Sequence, residues 1–206
     1  ESSGGCLLID GDYGAGKSHM LELTASHALH DGWAVARVEM DPQETPFHKP
    51  RQLYQKIIGS LEYYSDGRRH DFRDLLTYVA ESPGSSKVQA LKTHPYFATF
   101  VQNWRMDAGN EDLWDWIKGD GGRPRGFFPR FLNYQLAANI YCNLLNGLGW
   151  IAENILGLKG LLILIDEAEC IDRSFYSAYQ YRSAINTLNG LILMANIDKS
   201  LIQESA

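Results

Sequence analysis

One eight-residue segment, Gly11-Asp12-Tyr13-Gly14-Ala15-Gly16-Lys17-Ser18, constrains this chain more than any other. It fits G-x-x-x-x-G-K-[ST], a phosphate-cradling loop in which glycines let successive backbone N–H groups converge on an anion. Such a loop needs a strand before it and a helix after it, because the helix N-terminus supplies further N–H donors. Both are predicted. Cys6-Leu7-Leu8-Ile9-Asp10 is a short apolar run suited to a buried strand. Across 17–31, Met20, Leu21, Ala25, Ala28 and Leu29 fall at helical spacing. His19 belongs to the first turn of that helix, so residues 11–19 form the predicted nucleotide-binding segment.

A second motif completes the chemistry. Leu161-Leu162-Ile163-Leu164-Ile165 reads as a fully buried strand, and it ends in Asp166-Glu167. A nucleotide triphosphate is bound with Mg²⁺, which favours hard oxygen ligands. The hydroxyl of Ser18 and an acid at the tip of a neighbouring strand supply them in P-loop enzymes, and Asp166 fits the second role. Glu167, one residue on, fits the group that polarises a water for attack on the γ-phosphate. An acid pair at this place points to hydrolysis rather than transfer to a metabolite. Asn196-Ile197-Asp198-Lys199 has the letters of the guanine-reading N-K-x-D motif in the wrong order, so ATP is the expected nucleotide.

The rest of the chain bounds the setting. With 206 residues it has room for one α/β domain, or for a domain carrying an insertion. A net charge of −6 argues against a broadly basic nucleic-acid surface. Cys6, Cys142 and Cys170 are widely spaced, which predicts buried reduced thiols in a cytoplasmic protein rather than a disulfide frame or zinc site. No run approaches the ~20 apolar residues of a membrane span. The first residue is Glu1 and a strand follows within a few residues, which suggests a piece of a longer polypeptide.

Further elements follow from pattern. Gly32 suits a helix C-terminus, and 33–40 reads as a second strand. A helix is expected from Pro50 to about Tyr64 with Leu53, Tyr54, Ile57, Ile58 and Leu61 inward. Helices are predicted at 70–81, at 87–104 with a kink near Pro95, at 112–118, at 131–156 and at 175–188. Residues 119–129 form a glycine- and proline-rich connection, and 191–195 reads as a last strand. About 120 residues separate the strands at 33–40 and 161–165, where a plain crossover needs only a few tens. The surplus, about 62–130, is read as an inserted helical region within a single domain over 1–206.

The chain resembles the ATP-binding BrxC/BrxD group of bacterial BREX-type phage-defence systems, which are AAA+-like. The resemblance rests on GDYGAGKSHML (11–21), FHKPRQLYQKIIGSL (47–61), LWDWIKGD (113–120) and LLILIDEAE (161–169). It implies ATP binding and hydrolysis within a multi-protein defence complex acting on or near DNA, with homo-oligomers a further option. An AAA+-like (ASCE-type) parallel sheet flanked by helices orders its strands 5-1-4-3-2. The strands at 6–10, 33–40, 161–165 and 191–195 would be numbers 1 to 4, so the fifth strand, an arginine finger and the helical lid are expected to lie beyond Ala206. As a fragment, the chain is expected to hydrolyse ATP weakly or not at all. In this family pattern a polar residue after strand 4, here Asn196, positions the attacking water; a capping asparagine is the plainer alternative.

Other residues invite two readings each. Trp104, Trp114 and Trp116 with Arg123, Arg125 and Arg130 could grip single-stranded nucleic acid, but aromatics at helical spacing more often form core or partner surface. Arg173 and Arg182 could reach a neighbouring subunit's nucleotide or simply face solvent. Three functions are therefore open: an ATPase with Glu167, Lys17 and Asn196 as catalytic residues, a nucleotide-dependent switch or scaffold with negligible hydrolysis, and a DNA-binding motor module.

Overall fold

The computed structural model describes residues 4–82, 90–120, 137–172 and 174–196. Helix α1 (Lys17–His30) follows the glycine loop, and Gly32 takes the left-handed conformation (φ 85°) that ends it, as expected. Strand β1 (Ala34–Glu39) runs back alongside α1, and α2 (Pro50–Gly59) starts with Pro50 in its first turn. A hairpin follows, β2 (Glu62–Ser65) and β3 (Arg68–Asp71), then α3 (Phe72–Glu81). Next come a 3-10 turn (Leu91–Thr93), α4 (Pro95–Met106), α5 (Glu111–Ile117) and α6 (Ala137–Asn154). Strand β4 (Leu161–Asp166), a 3-10 turn (Ala168–Ile171) and α7 (Ala178–Ala195) complete the described chain.

The sheet order is β3-β2-β1-β4. Strands β1 and β4 pair in parallel over their whole length, from Ala34↔Leu161 to Glu39↔Asp166. The other two pairings are antiparallel. The chain is thus mixed α/β, and the wholly parallel sheet expected from the sequence is corrected. The expected neighbour relation between 33–40 and 161–165 is present.

Two expected strands are absent. Among the described residues, 6–10 pair with no strand, and Leu7 and Leu8 are 84% and 81% exposed. Residues 191–195 are the last turns of α7 instead. That helix starts at a reciprocal cap, in which Ser177 and Gln180 each bond the other's backbone N–H. Its buried face, Ala184, Thr187 and Leu191, keeps helical spacing through the apolar run. Gly190 lets α7 approach α6 closely, since a Cβ there would lie 2.8 Å from Cys142 Sγ. A short apolar run suits either element, and the cap and packing decide for helix.

A third correction concerns 60–71. Helix α2 stops at Gly59 rather than Tyr64, and Asp66 and Gly67 adopt φ 50° and 71° to turn the hairpin. Asp-Gly is the pair that a tight two-residue hairpin turn favours. Of the helix expected at 87–104, residues 87–89 lie outside the described residues, and Pro95 starts a helix after the 3-10 turn Leu91–Thr93. The residue before a proline avoids the α region, and His94 (φ −92°, ψ 107°) caps α4 from there. The connection expected at 119–129 lies outside the described residues beyond Asp120, as does 131–136 of the expected long helix.

The main core lies on the face of the sheet opposite α1. Ala34, Ala36 and Val38 of β1 meet Leu53, Ile57, Leu144, Leu148 and Ile151 there. The aromatics of α4 and α5 extend it: Phe97, Phe100, Trp114 and Trp116 are buried, with Phe100 and Trp114 edge-to-face at 4.9 Å. Tyr54 ties α2 to this region by donating to Ile117 O at 3.0 Å, and burial pushes its hydroxyl well above the usual phenol range. Arg73 lies over Trp114 at 4.7 Å and bonds Glu111 at 2.9 Å. These tryptophans are core residues, so a nucleic-acid grip by Trp104, Trp114 and Trp116 is not what their placement offers; Arg123, Arg125 and Arg130 lie outside the described residues.

A smaller cluster lies on the other face. Leu21, Ala25, Ala28 and Leu29 of α1 pack on Val35 of β1 and on Leu162 and Leu164 of β4. This contact positions the site.

Candidate functional site

Strand alternation sorts the site residues. Val35 and Leu164 face α1, so Arg37 and Glu39 on β1 and Asp166 on β4 share that face. They stand at the C-terminal ends of the parallel pair, where Glu39 and Asp166 are register partners. Helix α1 turns back into β1 through Gly32, with Trp33 N bonded to Ala28 O at 2.9 Å. It therefore runs antiparallel to the strands. Its 14 residues rise about 21 Å, and six strand residues span about 20 Å. The N-terminus of α1, with Gly16, Lys17 and Ser18, consequently lies toward the same end and on the same face as Asp166.

The loop has the backbone of an anion cradle. Gly14 and Gly16 have φ of 79° and 85°, a region that a side chain rarely tolerates. Ala15 N bonds Asp12 O at 3.1 Å, and Gly11 N bonds the Asp10 carboxylate at 2.9 Å. No side chain caps α1, so its first N–H groups, including those of Ser18 and His19, are not taken by a capping residue. Lys17 turns into the loop and donates from Nζ to Gly11 O at 2.7 Å and to Asp12 O at 3.2 Å. The side chains of Tyr13, Ser18 and His19 are exposed.

The strand-end acids differ from one another. Asp166 is only 7% exposed. Its Oδ1 accepts the Glu167 N–H at 3.0 Å, and its Oδ2 faces the Arg37 guanidinium at 3.7 Å. Glu167 is exposed and adopts φ 55°, an uncommon backbone for a residue with a side chain. The charge of Glu169 above all, then burial and Asp166, holds its carboxyl above the usual carboxylate range.

Some expected residues are placed elsewhere. Asn196 stands at the C-terminal end of α7 and donates from Nδ2 to Ile192 O at 2.9 Å, so it caps a helix rather than following a strand. Arg182 is exposed on α7, and Arg173 lies outside the described residues. Burial of the thiols holds for Cys142 and Cys170, but Cys6 is exposed. Arg37, Glu39 and Glu169 join the site through the fold, since no sequence motif marks them. The alternation over 36–39 puts Arg37 and Glu39 on one face of β1, and the register with β4 brings them to the acid pair.

The molecule is thus an α/β chain with a glycine loop at a helix N-terminus and an acid pair at a strand end. Residues 1–80 match the family model described as BREX system ATP-binding protein BrxC/D. The match bears out the resemblance and covers two of the four stretches that carry it, 11–21 and 47–61. No curated protein and no solved structure matches the chain.

Proposed function

We propose that this chain binds Mg²⁺-ATP at residues 11–19 and hydrolyses it as a component of a bacterial anti-phage defence complex. One observation carries the reading: the N-terminus of α1 and Asp166 share one face and one end of the β1–β4 pair, with Glu167 the next residue. Loop N–H groups and Lys17 receive the phosphates, and Lys17 exchanges its bonds to Gly11 O and Asp12 O for phosphate oxygens. The Ser18 hydroxyl and Asp166 carboxylate are hard oxygen donors of the kind Mg²⁺ takes, and they would hold it. When bound, that ion neutralises phosphate charge. Glu167, with a raised carboxyl pKa, suits the base that orients the attacking water. Asn196 has no role in this reading, because its side chain caps α7.

The strand pairing supports an AAA+-like order. Strands 34–39 and 161–166 are the expected 2-3 neighbours. With 191–195 helical, the strand that would stand between 161–166 and 6–10 is missing from the described residues, and the apolar run at 6–10 has nothing to pair with. That exposure favours a second reading, a nucleotide switch with negligible turnover.

Turnover separates the two. Glu167→Gln should keep ATP binding and lower the hydrolysis rate by at least about a hundredfold, the usual contribution of a positioned base. An unchanged rate would remove Glu167 from this role, and no measurable turnover by the full-length protein, with or without DNA, would favour the switch. Partner subunits, a homo-oligomer, DNA contact and a cytoplasmic location belong to the same proposal. Among the described residues no helix is long and apolar enough to cross a membrane.

A further inference from the structure

Arg37 is the residue that the nucleotide reading leaves without a task. It lies on the α1 face of β1, its side chain is 39% exposed, and its guanidinium faces Asp166 Oδ2 at 3.7 Å. The Asp166 side chain is 9% exposed, and its other oxygen is engaged by the Glu167 N–H. A carboxylate so little hydrated needs a counter-charge. Arg37 supplies it at Oδ2, the oxygen that the Glu167 N–H does not engage.

A guanidinium and a divalent cation at one carboxylate repel each other. Free metal must therefore work against Arg37, whereas metal arriving on a triphosphate brings negative charge that offsets both cations. Arginine's planar, permanently charged fork bonds phosphate as readily as carboxylate, so it can change partners without losing its charge compensation. Its half-exposed position leaves room for that exchange.

We propose that Arg37 is a positioning residue that holds Asp166 before nucleotide arrives and weakens the binding of free divalent metal there. This rests on the nucleotide reading above. It predicts that removing the guanidinium tightens the binding of metal alone, an effect that a merely structural arginine would not produce.

Mn²⁺ titration followed by electron paramagnetic resonance, with and without ADP, measures this coupling in the whole protein. For the wild type, ADP should tighten Mn²⁺ binding by at least about fivefold, the lower end of ordinary coupling between sites. Arg37→Gln should tighten the binding of Mn²⁺ alone by a similar factor and so close most of the gap, while Arg37→Lys should keep it. ADP binding with a Mn²⁺ affinity that is the same in wild type and Arg37→Gln overturns this inference alone. Absence of ADP binding in the wild type overturns the nucleotide reading, and this inference with it. If circular dichroism shows that Arg37→Gln does not fold, Arg37→Met takes its place: tighter binding of Mn²⁺ alone than in the wild type supports the proposal, and an unchanged affinity overturns it.

Discussion

The glycine-loop segment and the aromatic helices of α4 and α5 are held in opposite ways. Before α1, Leu7, Leu8 and Tyr13 are 84%, 81% and 103% exposed, and the loop keeps its shape through local backbone bonds and glycine conformations. In α4 and α5, Phe97, Phe100, Leu113 and Trp114 are fully buried, and ring-on-ring packing holds the helices. One region is built for stability. The other leaves the first N–H groups of α1 without a side-chain cap, which is what an anion site requires. Stability and function are thus divided between two parts of one chain.

Substitutions can break that comparison. The largest effect is expected for Trp114→Ala, which should lower unfolding free energy by about 3–5 kcal/mol in denaturant melts. A loss under about 1 kcal/mol would mean that α4 and α5 are not the stabilising core. Next comes acid. His94 donates from Nε2 to Asn143 O at 3.1 Å and accepts the Phe97 N–H on Nδ1 at 3.4 Å, so it is neutral in the folded state. Burial, above all, lowers its pKa despite the bond to Asn143. The unfolded chain therefore takes up a proton first as pH falls below about 6.5. The contribution of His94 is intact above that pH and is lost as pH falls toward the lower folded value, by at most about 1.4 kcal/mol per pH unit. His94→Asn, which can still cap α4, should remove that part of the slope in melts at pH 5 to 7. An unchanged slope would assign the acid sensitivity to other groups. The smallest effect is expected for Leu8→Ala, within about 0.5 kcal/mol in the nucleotide-free protein. A loss above about 2 kcal/mol would show that 6–10 is buried in solution.

What could be read from the sequence follows the same division. The glycine loop, α1 and strands 34–39 and 161–166 were legible because each carries a local pattern matching its structure. The hairpin at 62–71 was not, because Leu61 and Tyr64 continue the helical spacing of Ile57 and Ile58; the Asp66-Gly67 turn was the better guide. Residues 191–195 were read as strand because a run of five apolar residues carries no period of its own, and the cap that makes them helical stands at Ser177, far upstream. The pairing of Arg37 with Asp166 crosses from β1 to β4, so only the register between strands brings it out.

The central claim is that residues 11–19 form a site for Mg²⁺-ATP, and calorimetric titration of ATP with Mg²⁺ into the wild type and Lys17→Ala tests it most directly. The account predicts saturable one-to-one binding by the wild type and none by Lys17→Ala, with both proteins unfolding at the same denaturant midpoint. Equal ATP binding by the two would contradict it.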